Sequence, residues 1–118
     1  MASITKAHHM GLQVADLDRS VAFYRDVLGF TVVFAWNPQA DYIRTLVGYP
    51  DADIHAAVLR LPGSEVVLEL LEYRNVERTP VDTRTANPGT AHIRSSSTTS
   101  TRCTRTSSRG VSARSRRP

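Results

Sequence analysis

The side chains in this chain that could do chemistry are few and scattered. His8 and His9 open the segment HHMGLQV. Glu65, Glu69 and Glu72 lie along EVVLELLEY, and His92 follows Gly89-Thr90-Ala91. Imidazoles and carboxylates bind divalent cations and move protons. They do so only where folding gathers them, because a lone histidine on a strand is more often packed or exposed than a ligand. The one cysteine, Cys103, rules out a disulfide framework or a thiolate metal site within one chain. That usage fits a reducing, cytoplasmic compartment.

Period-two alternation sorts these residues by face. His9, Gly11 and Gln13 share one side of the first segment, with Met10, Leu12 and Val14 on the other. His8 is expected opposite His9, in a structural or exposed role. Glu69 and Glu72 are three residues apart, so they point to opposite faces. Glu65 shares the Glu69 face but sits at the start of its strand, in solvent.

The elements that must position these groups are legible in the pattern. Asp16 offers a helix cap, and Leu17, Val21, Tyr24 and Leu28 form one stripe at helical spacing. Gly29 is a natural left-handed stop, which predicts a helix over 17–28. Phe30 to Trp36 is β-branched and aromatic, hence a strand. Tyr42 to Val47 reads as either a short strand or a helical turn. Ile54 to Leu61 and Glu65 to Tyr73 form a hairpin about Pro62-Gly63-Ser64. Residues 74–88 are a polar connector, and Gly89 to Ile93 starts a new strand. Phe23, Tyr24 and Trp36 are expected in the core, with Trp36 also placed to line a pocket. The order is β-α-β-β-β, a connector, then β. One helix covers one face of such a sheet and leaves the other to be lined by something else.

Charge divides the chain. The formal net charge is +4, yet residues 1–93 carry −3 and residues 94–118 carry +7, with seven Arg and no acid. The basic excess therefore says nothing about a nucleic-acid partner for the domain. The Arg/Ser/Thr-rich stretch 94–118 offers almost nothing to bury and is expected to be disordered. A reading-frame shift near codon 94 is the hypothesis that accounts for it. Displaced by one base, the Ser codons at 95–97 supply a central T and encode apolar residues. With GC-rich third bases the displaced reading then runs through Asp-Leu-Asp into an amphipathic helix, as ADLDRSVAFYRDVLGF does. Such repetition marks a duplicated supersecondary unit. No apolar run reaches membrane-spanning length, and the first residues lack the apolar core of a secretory signal.

The strand HHMGLQV, the helix DLDRSVAFYRDVLGF, the hairpin ending LELLEY and the re-entry GTAHI together resemble the vicinal oxygen chelate superfamily. Its members include glyoxalases, methylmalonyl-CoA epimerases, extradiol dioxygenases and bleomycin-resistance proteins. The resemblance covers residues 7–93. It implies an α+β fold, one βαβββ module followed by the first strand of a second, truncated module. It also implies that two modules pair around a divalent metal, here in a homodimer.

By the same resemblance the metal ligands correspond to His9, Glu69 and His92. A fourth, usually Glu, lies on a later strand that this chain does not reach. The ion would be Zn, Ni, Co, Fe or Mn, acting as a Lewis acid on substrate oxygens. Glu69 would share in proton removal. The implied function is a metal-dependent lyase or isomerase for a small substrate, impaired in this form, with no nucleic-acid or membrane partner. A metal-free binding protein of the bleomycin-resistance kind is the alternative.

Overall fold

The computed structural model describes residues 2–96 and the backbone of residues 103–106. The chain divides after Glu77 into two compact units. The first holds a four-stranded sheet in the order β1-β4-β3-β2, built from His9–Gln13, Thr31–Trp36, Asp53–Arg60 and Val67–Arg74 in chain order. β1 runs parallel to β4, and the other pairs are antiparallel. No helix among the described residues is long and apolar enough to cross a membrane.

Helix α1, Leu17–Ala22, packs against β3 and β4. Two carboxylates fix where it begins. The Asp16 side chain accepts from the Arg19 backbone N–H at 3.1 Å, as an N-cap does. The Leu17 N–H donates to Glu72 Oε2 at 2.9 Å, which ties the helix start to β4. Arg74 holds the other side of the same carboxylate at 3.1 Å. Glu72 therefore serves the fold on the helix-facing side, opposite Glu69. Its side chain is only 12% exposed. Replacing Glu72 by alanine strands a helix-start donor and is expected to cost about 2 kcal/mol in urea unfolding.

The helix does not continue as one α-helix to Leu28. From Phe23–Val27 it widens into a π-turn, and the Leu28 N–H reaches back five residues to the Phe23 carbonyl. Gly29 then takes φ 74°, the expected left-handed stop. Tyr24 lies under this turn, 1% exposed, with its ring 5.2 Å from that of Phe30. Leu59, Leu68 and Leu70 complete the core between helix and sheet.

The segment that read equally as strand or helical turn is helix α2, Asp41–Val47, closed by Gly48 at φ 80°. Just beyond it, Tyr49 sets its ring edge against Tyr73 on the far face of the sheet, at 5.9 Å.

In the second unit, Asp82, Arg84, Asn87 and Thr90 hold one another in turns. Strand β5, Ile93–Ser96, then pairs antiparallel with β6, Cys103–Thr106. One expectation is corrected here. Gly89 to His92 is not strand, and regular pairing starts only at Ile93. Residues 94–96 and 103–106 of the stretch 94–118 lie in this ladder. The remainder of 94–118 lies outside the described residues.

Candidate functional site

The face of the sheet away from α1 carries the site. Strand register places His9 beside Val67 and Gly11 beside Glu69. His9 and Glu69 are therefore diagonal neighbours on one face of adjacent strands, a separation that long side chains bridge. His9 Nε2 lies 3.6 Å from Glu69 Oε2. Glu69 is mostly covered, and His9 is half exposed. Across the sheet, Val58 stands opposite Glu69 in register, and Phe34 stands opposite Val58.

These residues line an open cleft of about 490 Å³ that crosses all four strands: His8 and His9 at one end, Val67, Glu69 and Val58 on its floor, and Val33, Phe34 and Trp36 at the other end. A β-bulge shapes that far wall. The β2–β3 register shifts between Val32 and Phe34. Strict alternation sends consecutive residues to opposite faces, but the bulge lets both Val33 and Phe34 line the cleft. Trp36 is 42% exposed, so it belongs to the cleft and not to the core, where only Tyr24 of the three expected aromatics is fully buried.

His8 departs from the alternation reading. It precedes β1, so the pleat does not send it to the opposite face. It lines the cleft with His9, the two rings meeting edge to face, with Nδ1 2.6 Å from Nδ1. At that distance one ring must donate and the other accept. His9 then uses Nδ1 for its neighbour and keeps Nε2 for Glu69. This pairing was not visible as spacing, because adjacent residues on a regular strand do not meet.

On the same face, Tyr73 follows Glu69 by four residues. Burial raises its phenol pKa, and the Glu69 charge and Tyr49 add to the shift. A second polar cluster lies on the opposite side. Asp53 binds His55 Nε2 at 2.9 Å, and Asn37 and Gln39 point at the same carboxylate. These partners, His55 foremost, hold the Asp53 carboxyl below its usual range. Glu65 precedes β4 and is exposed, as expected.

His9 and Glu69 suit a divalent ion in type and spacing. Two donors at about 2.1 Å from one ion stand about 3.0–3.4 Å apart at octahedral to tetrahedral angles. The observed pair needs only a few tenths of an ångström of closure, and it supplies half of a four-donor shell. His92 lies in the second unit, exposed, one residue before β5. Among the described residues, no group of three or more His, Cys, Asp or Glu side chains is gathered that could hold a metal ion.

Comparison with known proteins agrees with this architecture. The family model described as the Glyoxalase/Bleomycin resistance protein/Dioxygenase superfamily matches residues 6–114. A stretch of 51 residues is 41% identical to the lactoylglutathione lyase of Haemophilus influenzae, covering 42% of this chain and 38% of that enzyme. The crystal structure of a glyoxalase family protein from Bacillus cereus superposes with a TM-score of 0.60 at 18% identity, over 75% of this chain and 58% of that one. The matches thus span 38% and 58% of these two relatives, less than two thirds of either, and the structural likeness at that identity speaks for the fold. With a family model matched along nearly its whole length and the fold to go with it, the chain belongs to the glyoxalase/bleomycin resistance protein/dioxygenase superfamily.

Proposed function

We propose that this chain is a divalent-metal-dependent lyase or isomerase of the glyoxalase kind, acting on a small substrate with neighbouring oxygens. The observation that carries the reading is the His9–Glu69 pair, 3.6 Å apart on the wall of an apolar cleft. The stretch shared with a lactoylglutathione lyase supports the lyase branch. His9 and Glu69 are the proposed protein ligands in the first unit, and a second copy of the chain is the proposed source of the remaining donors. A bound Zn, Ni, Co, Fe or Mn ion supplies Lewis acidity toward the substrate oxygens.

The chain's own residues do the rest. His9 presents Nε2 toward Glu69 while its Nδ1 is engaged by His8. The Glu69 carboxylate, mostly withdrawn from water, is the proposed acceptor of a proton next to a carbonyl. Val58 and Val67 give the cleft beside Glu69 an apolar lining.

The purified chain, loaded with Zn²⁺, Ni²⁺ or Co²⁺ and desalted, is expected to retain metal by elemental analysis and to isomerise a hemithioacetal only weakly, in keeping with an impaired form of the enzyme. Retention of no ion, with small-molecule binding unchanged by chelator, would overturn the enzyme reading. That outcome belongs to the second reading, a metal-free binding protein. One observation favours it: no three-donor group is gathered among the described residues.

A further inference from the structure

The far wall of the cleft carries a specificity that the metal-ligand reading leaves open. Phe34 is 51% exposed and Trp36 42%, and both stand on the open face of edge strand β2. Two large aromatics left this accessible side by side need a role, since single exposed apolar residues are ordinary but a lined wall is not. Residues two apart on a strand are separated by about 6.8 Å. That is about twice the 3.4–3.5 Å at which flat carbon surfaces touch, so the gap has room for one further planar ring. Val33 and Val58 flank the same place. Among the described residues, the lining includes no Lys or Arg, and Glu69 is its only carboxylate. A carboxylate or phosphate at this end of a ligand would lose its water and gain no counter-charge.

Resting on the reading of His9 and Glu69 as the end that holds the substrate oxygens, we infer that the cleft selects substrates whose other end is an uncharged aromatic group, stacked between Phe34 and Trp36. β2 and β4 are two strand spacings apart, about 9.6 Å. The aromatic group is therefore joined to its oxygens through a short linker, not directly.

Trp36 is the chain's sole tryptophan, so its indole N–H gives a single nitrogen-proton resonance that reports on the slot. The full chain, with and without Zn²⁺, is titrated with phenylethyl hydroxymethyl ketone and with the same ketone bearing a carboxylate in place of phenyl. The phenyl compound is expected to shift the Trp36 resonance and to bind at least about tenfold more tightly. Phe34→Ser is expected to bring the two affinities together, and Phe34→Leu, which keeps bulk but not the flat face, to fall between them. Phe34 is half exposed, so neither change empties the core. Equal binding of the two ketones, no Trp36 shift, or indifference to Phe34→Ser overturns the inference. His9→Ala separates the two claims. It should weaken both ketones by the same factor. If it weakens neither, the metal-centre reading falls, while the Phe34 variants still decide the slot.

Discussion

With His9 and Glu69 as the proposed metal ligands, divalent-metal affinity is expected to fall at least about 100-fold when His9 is replaced by alanine or Glu69 by glutamine, because the first change removes a direct donor and the second its charge, and even supporting groups contribute 10–100-fold. Glutamine keeps the size and shape of Glu69 but lacks the negative charge a cation needs. Both side chains line an open cleft and are not part of the helix-facing core, so the variants should remain folded. Calorimetric titration with Zn²⁺ and Ni²⁺ reads the effect, with circular dichroism as the check on folding. Glu65→Gln is the matched control. Glu65 is an exposed carboxylate just before β4, and its loss should leave affinity unchanged. If all three variants bind metal like the parent chain, the His9–Glu69 pair is not the metal centre.

The second large effect concerns the scaffold. Leu70 is 0% exposed on the helix-facing side of β4, beside Leu68 at 1% and across from Ala57 on β3. Truncating it to alanine removes buried methyl groups and leaves a cavity between two elements that cannot collapse freely. The expected loss is about 3 kcal/mol, read from the urea midpoint at unchanged slope. Leu46 on α2 is 81% exposed, and Leu46→Ala should stay within about 0.5 kcal/mol. A Leu70→Ala loss no larger than that of Leu46→Ala would mean that α1 does not close over β4 as described.

Much of the first unit was legible because its signals are local. Alternation in HHMGLQV and LELLEY, the Asp16 cap, the helical stripe and Gly29 each depend on a few neighbours, and each element formed within a residue or two of its expected place. The misses were of another kind. The segment from Tyr42 to Val47 is too short for periodicity to separate strand from helical turn. The π-turn after Ala22 and the bulge after Val32 change which residues share a face, and neither has a sequence signature of its own. The bulge in particular brings Val33 onto the cleft face beside Phe34. Glu72 read only as the carboxylate on the wrong face for the site. Its role became visible once Leu17 stood 2.9 Å away across 55 residues of chain.

Composition and pattern alone determined most of the order of elements, which residues of each strand share a face with His9 or with Glu69, and the charge divide near residue 94, since all three are set by residues next to one another in the chain. The tertiary structure alone decided that β1 lies parallel beside β4, which brings His9 to Glu69 and lets Phe34 and Trp36 complete the same cleft. Strand pairing between distant segments is chosen by the burial of the whole sheet against α1, a sum over every apolar contact that no local stretch contains.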